Sequence, residues 1–402
     1  MLRTLVFAAL TGSIATSPGA QFTIESAVAH ALRRNPDLAA ARWSIEEARG
    51  RLWHSGRPAN PEIEAELKPN IRGREGSFAV GFMQKFPLTN RLHLERSISQ
   101  AQFARAEAEV LNAERLLKAE VRTAAVKLLS LQGQKSLFEK QRKNSVELAE
   151  TAARAAKTGE GSALEASQFE LEASQRSLES LQTDAERASI TGALRPLLGL
   201  TASQPLTIVG ELPSPAPQGK GASPERRADY QAALAKEEAA RTGIDLARAG
   251  KWDDAKFGLS AEVERMEDAP EGRSTDGFIG FKFSLPLPFW NKNEGKIYEA
   301  GAAAARAKQE SEALAQRIRA DAAAAYAEMT AAAKIVEQTS GPLLQKALEL
   351  EERHTAANKV AQATISDVLR SRERRFALEA ARLNALRDYH LARVRLMAAQ
   401  GR

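Results

Sequence analysis

The chain has 402 residues, 43% apolar and 27% charged, a balance that excludes wholesale disorder and leaves room for two or three domains. Its 57 basic and 51 acidic residues are spread along the whole length, so the net charge of +6 is a mild excess and gives no support to nucleic-acid binding. The absence of cysteine excludes disulfides, thiolate zinc sites and an acylated cysteine.

Taken in chain order, the first segment is Arg3, the apolar run Leu5-Val6-Phe7-Ala8-Ala9-Leu10, then small residues through Ala20. That is the order of a secretory signal peptide, so residues 1–20 are expected to direct export, with small-x-small sites ending at Ala15 and Ala20. No later stretch approaches the roughly 20 apolar residues of a membrane helix. A membrane-spanning role therefore has to be carried by strands.

Residues 21–209 form a first repeat. Asn35-Pro36-Asp37-Leu38 caps and opens a helix that Pro58, Asn60 and Pro61 stop. Two strands are expected near 62–68 and 77–86. Glu62, Glu64 and Glu66 alternate with Ile63, Ala65 and Leu67, and Phe78, Val80 and Phe82 share one parity, because side chains in a strand alternate sides. The residues from Lys68 to Gly76 read as a polar loop. A helical hairpin follows over 92–200. From Leu92 to Lys157 there is no proline and only Gly133, so a single helix there reaches about 100 Å. Leu117, Val121, Ala124, Leu128 and Leu131 follow the spacing of a coiled-coil seam, and after Thr158 to Ser162 the chain returns through Leu164, Leu171 and Leu178.

Residues 210–223, with Pro213, Pro215, Pro217, Gly219 and Gly221, form a linker. A second repeat, 224–402, then restates the first. Ser223 and Pro224 supply the cap and first position of its opening helix, and Gly250 stops it. Strands are expected near 256–264 and 277–286: Phe257, Leu259, Ala261 and Val263 alternate with polar residues including Glu262 and Glu264, as do Ile279, Phe281 and Phe283. Arg265 to Asp276 reads as the loop between them. The second helical hairpin, 294–400, carries the seam Ile318, Ala322, Ala325, Met329, Ala332 and Val336, breaks at Gly341-Pro342, and returns through Leu369, Phe376 and Leu383. The repeat is too long for a solenoid unit and reads as a duplicated domain.

Ten-residue segments of alternating polarity suit either a transmembrane barrel or a soluble sheet with one wet face. Helices of about 100 Å favour the barrel, since no compact domain needs them. Four strands do not close a barrel around a channel, so other chains have to complete the ring. No catalytic chemistry is indicated: His30, His54, His93, His354 and His390 lack ligand spacing, Gly159-x-Gly161 lacks the context of a phosphate loop, and no cofactor or metal site is expected.

Signal peptide, helix, β-hairpin, long helical hairpin, proline-rich linker and the same set again resembles the plan of the outer-membrane efflux proteins, the TolC family, over the whole mature chain. Phe86-Pro87-Leu88-Thr89-Asn90-Arg91 and Leu285-Pro286-Leu287-Pro288-Phe289-Trp290-Asn291-Lys292-Asn293-Glu294-Gly295-Lys296-Ile297 resemble the strand-to-helix junctions of its heavy-metal branch, the cobalt-zinc-cadmium type. The resemblance implies a mainly α protein with a small β part. In a homotrimer it would form a twelve-stranded barrel in the outer membrane, continued by a periplasmic α-barrel. It also implies a periplasmic adaptor, an inner-membrane proton-driven pump, and a passive duct for divalent heavy-metal cations. Drug or type I protein export, or a periplasmic coiled-coil scaffold, are the alternatives.

Three sets of site residues follow. The resemblance places adaptor contacts at the hairpin tips, here Gly159, Ser162, Leu164, Asn358 and Val360. Ile365-Ser366-Asp367-Val368-Leu369-Arg370 resembles the segment where aspartates ring the periplasmic aperture; Asp367 matches the first, and Arg370 departs from the second. Strand parity adds a band of lumen-facing carboxylates, Glu62, Glu64, Glu66, Glu262 and Glu264, offset in part by Lys256 and Lys282.

Overall fold

The computed structural model describes residues 20–70, 75–159, 162–217, 219, 221–268, 272–360 and 362–402, so the expected signal peptide lies outside the described residues but for Ala20. A short strand, β1 (Ala20–Phe22), leads into α1 (Ile24–Arg34), whose N-terminus is closed by a capping box between Thr23 and Ser26. Asn35 then ends α1 and starts α2 (Pro36–His54), its Oδ1 accepting from the Leu38 amide at 2.7 Å. The strands β2 (Glu62–Pro69) and β3 (Gly76–Phe86) follow, then α3 (Arg91–Thr158), a single helix of 68 residues and about 100 Å. α4 (Ala163–Leu197) runs back along it, and β4 (Leu206–Ile208) pairs in parallel with β1. This small β1–β4 sheet has no alternation to betray it in the sequence.

The second repeat comprises α5 (Ala228–Ala249), β5 (Ala255–Asp268), β6 (Gly272–Ser284), α6 (Glu294–Ser340), α7 (Pro342–Lys359) and α8 (Ile365–Ala399). Pro342 interrupts what is otherwise one ascending helix, because it has no N–H to continue the ladder. Three sequence expectations are corrected. Ser223 and Pro224 do not open α5; they start a 3-10 turn, Pro224–Arg226, whose Ser223 hydroxyl bonds Glu225, and α5 begins at Ala228. The segment 265–276 is not all loop, since Arg265 pairs with Thr275 and Asp268 with Gly272. Backbone pairing does not require the apolar alternation that ends at Val263. Third, Leu164, Leu171 and Leu178 do not face α3. They are 67%, 62% and 57% exposed, and α4 buries Ala166, Phe169, Thr183 and Leu194 instead.

The core is divided between the repeats. In the first, Val28, Leu38, Val121, Leu128, Leu194 and Ile208 join α1, α2, α3, α4 and β4. In the second, Ala322, Ala325, Met329, Tyr389 and Leu396 pack α6 on α8, with alanine allowing close approach. The linker is strapped over α8: Tyr389 Oη donates to the Ala216 carbonyl at 2.8 Å and accepts from its amide at 3.0 Å, and buried His390 lies 2.8 Å from the Pro213 carbonyl. Burial holds the His390 imidazole below its ordinary pKa, so the neutral ring makes this contact.

An ionic knot joins the repeats. Arg115 of α3 donates to the Ala398 carbonyl of α8 at 3.0 Å and lies 3.6 Å from Asp229 of α5, which Arg227 also binds. Burial pushes the Asp229 carboxyl up, but Arg227 and Arg115 outweigh it and hold the group below its ordinary value. At the strand-to-helix junction, Arg91 binds Asp254 at 2.9 Å and Glu95 at 2.9 Å.

Candidate functional site

β2, β3, β5 and β6 form one antiparallel sheet in that order, and among the described residues neither β2 nor β6 has a partner on its outer edge. The register decides which residues share a face. Ile63, Phe82, Leu259 and Phe281 stand in one cross-strand row, and Ala65, Val80, Ala261 and Ile279 in the next. This apolar face is turned outward: Ile63 is 78% exposed, Ile279 76% and Phe281 87%. Near the helices the rings of Phe86, Phe257 and Phe283 continue it, with centroids 5.7 and 4.9 Å apart. A soluble sheet covers such a face; a lipid-facing one leaves it bare.

The opposite face collects the five glutamates chosen from parity. Glu66, Ala79, Glu262 and Phe278 make one row, and Lys68, Ser77, Glu264 and Asp276 the next. Glu64, Glu66, Glu262 and Lys282 line a hollow of about 200 Å³ floored by Gly81, Gly258 and other small residues. Glu62 lies toward the helices and is paired with Lys85 at 2.6 Å, and Glu66 is paired with Lys68 at 3.1 Å. Parity counting through β3 would have found Lys85, which shares a face with Met83. The band is therefore zoned in part: Lys85, Lys256 and Lys282 lie toward the helices, and Glu64, Glu262, Glu264 and Asp276 toward the hairpin ends, where Lys68 joins them.

The hairpin tips hold the second set. Gly159 ends α3 with φ 79°, a left-handed conformation that favours glycine. Ser162 caps α4, its hydroxyl accepting from the Leu164 amide at 3.1 Å. Asn358 pins the other turn by donating to the Ala363 carbonyl at 2.9 Å. These three residues shape the turns, whereas Leu164, 67% exposed, and Val360, 64% exposed, present bare apolar surface. The hairpins lie side by side there, since Leu369 of α8 packs on Ala149, Ala152, Ala166 and Phe169 of α3 and α4.

Asp367 is the N3 residue of α8. Its Oδ2 accepts from the Thr364 amide at 3.1 Å and from the Thr364 hydroxyl at 2.7 Å, while its amide donates to that hydroxyl at 3.2 Å. These bonds hold its carboxyl below the ordinary value, with His354 and Arg370 adding smaller attractions. Within the protomer, Thr364 and not Arg370 is the direct partner. Among the described residues no helix is long and apolar enough to cross a membrane, and no cluster of three or more metal-ligating side chains forms.

The family model described as outer membrane efflux protein matches residues 27–200. No curated protein matches the chain. Among solved structures, CusC, described by its transmembrane channel formation, superposes with TM-score 0.78 at 18% identity, covering 95% of this chain and 92% of that one. The outer membrane protein VceC of Vibrio cholerae gives 0.74 at 20%, covering 94% and 96%. The open state of the MtrE outer membrane channel of Neisseria gonorrhoeae gives 0.75 at 18%, covering 94% and 88%. The fold is that of an outer-membrane efflux channel. It is mainly helical with a small antiparallel sheet, and it covers both repeats, although the family model matches only within the first. Its longest helix, α3, reaches about 100 Å. Its likeness to several channels at similar scores does not single out the heavy-metal branch.

Proposed function

We propose that the chain is the outer-membrane exit duct of a tripartite efflux system, a passive conduit for cargo delivered by a periplasmic adaptor and a proton-driven inner-membrane pump. One observation carries this: a four-stranded sheet, with neither edge paired among the described residues, bares its apolar face and turns its carboxylates the other way, joined to a helix of about 100 Å. Three copies, edge to edge, give a twelve-stranded barrel with lipid outside and a polar lumen within. The exposed stripe Leu164, Leu171, Leu178 and Leu181 of α4 then faces a neighbouring protomer, which extends the ring as an α-barrel.

Divalent heavy-metal cations are the cargo best supported. The two junction segments argue for them, and so does the carboxylate zone toward the hairpin ends, because rings of carboxylates favour cation passage. The tips dock the adaptor, and Asp367 and Arg370 of three protomers line the aperture. The test is fractionation of cells producing the chain, with extracts run heated and unheated. A heat-dissociable trimer in the outer-membrane fraction is expected. A monomer in the soluble periplasmic fraction would point to the coiled-coil scaffold instead.

A further inference from the structure

Near the tips, α4 and α8 both lie along α3, and a gap of about 290 Å³ opens where the three helices meet. α3 lines it with Gln141, Asn144 and Ser145 and contributes no ionisable group; α4 contributes Glu172 and Arg176, and α8 contributes Arg372 and Glu373. Both arginines have carboxylates of their own: Arg176 binds Glu179 at 2.9 Å, and Arg372 binds Glu351 of α7 at 3.1 Å. Glu172, which accepts from the Ser145 hydroxyl and is attracted by Arg176, faces Glu373 across one gap as a like charge. Gln141 is only 8% exposed, and among the described residues its Oε1 has no hydrogen-bond partner. An unpaired acceptor beside two carboxylates is a place short of protons.

The gap also sits where it has leverage. Leu369 and Phe376 line it on α8, and Leu369 is the residue that seats α8 on the α3–α4 tip, two positions from Asp367. We propose that Glu172 and Glu373 form a proton-operated latch between the first helical hairpin and α8. A proton on Glu172 lets the two helices stay together and keeps the tip shut; its loss sets two carboxylates against each other and drives α8 away from α4, which loosens the tip. Burial and the facing Glu373 push the Glu172 carboxyl above its ordinary value of 4.5, outweighing Arg176 and the Ser145 hydroxyl. The sign follows. A carboxyl raised in the shut arrangement stabilises that arrangement fully below the ordinary value, and the stabilisation is lost as pH rises through the raised one.

The latch rests on the channel function, and its test separates the two. The chain has no cysteine, so Ser174→Cys and Arg374→Cys place two spin labels, one on each side of the gap, on otherwise unlabelled protein. The label distance in purified full-length protein and the conductance in planar bilayers are both followed from about pH 4 to about pH 8. With Glu172 and Glu373 intact, distance and conductance should rise together, the conductance several-fold. Glu172→Gln should stay short and low throughout, and Glu373→Gln should move the midpoint about one unit lower. A label distance that ignores pH, or a Glu172→Gln protein that titrates like the parent, overturns the latch. Absence of any conductance overturns the channel function, while the label distances still decide the latch.

Discussion

Asp229 shows how one side chain can hold two repeats together. It receives Arg227 from its own turn and lies 3.6 Å from Arg115 of α3, whose guanidinium also reaches the end of α8. The side chains of Arg115 and Asp229 are 10% and 19% exposed, so removing the carboxylate leaves two buried guanidinium groups without the carboxylate that offsets their charge. Asp229→Asn is expected to lower stability by about 3 kcal/mol, read as an earlier denaturation midpoint. Because the Asp229 carboxyl is held below its ordinary 3.8, its contribution is present above that value and disappears as pH falls through the lowered one. Asp367 works locally by comparison, since its bonds go to Thr364 at the start of α8. Asp367→Ala removes both that cap and the proposed aperture charge, so the resting conductance of reconstituted protein should rise. Unchanged conductance would leave Asp367 as a helix cap alone.

At the scale of elements, the two faces of the sheet and the two faces of α4 pose the same question of what covers them. The stripe Leu164, Leu171, Leu178 recurs every seventh residue and is bare in the protomer, as one side of a coiled-coil seam is before its partner arrives. Leu171→Asp with Leu178→Asp should abolish the trimer in light scattering while leaving helical circular dichroism intact. A trimer that survives both substitutions places the stripe elsewhere than at a subunit seam. For the sheet, Glu62, Glu64 and Glu66 are all changed to Gln, and reversal potential is measured in a salt gradient. The parent should prefer cations, and the variant should lose much of that preference. The pairing of Glu62 with Lys85 and of Glu66 with Lys68 assigns most of the effect to Glu64, so Glu64→Gln alone should account for the larger part. A parent pore indifferent to charge, or one that prefers anions, refutes the carboxylate band.

For the whole molecule, long hairpins bring two distant turns to one end. The tip of α3–α4 and the tip of α7–α8 are neighbours because Leu369 packs into the α3–α4 groove, and Leu164 and Val360 stand exposed nearby. Apolar side chains at the end of the proposed helical tube suit a partner that closes over it. Leu164→Asp with Val360→Asp should reduce adaptor crosslinking about tenfold or more, with the trimer unaffected. Bulky replacements at Gly159 and Asn358 should act indirectly, by distorting turns that depend on a left-handed glycine and on the Asn358 to Ala363 bond. Adaptor capture unchanged by all four substitutions would remove the tips from the docking surface.

The sequence alone determined the architecture, because its signals are local. Alternation over about ten residues marks β2, β3, β5 and β6, seam spacing marks α3 and α6, and Asn35-Pro36 and Gly341-Pro342 punctuate them at the right places. Parity even put the five glutamates on one face, since the strand period is two wherever the strand sits. What the tertiary structure decided depends on contacts between distant segments. It paired β1 with β4, carried β5 and β6 past their apolar stretch, and set Lys85 against Glu62. It also turned Leu171 outward while Phe169 took the core, a choice that heptad spacing does not make because both faces of α4 carry apolar residues. Glu172 and Glu373 lie some two hundred positions apart in the chain and face one gap only because α4 and α8 share α3 as a support.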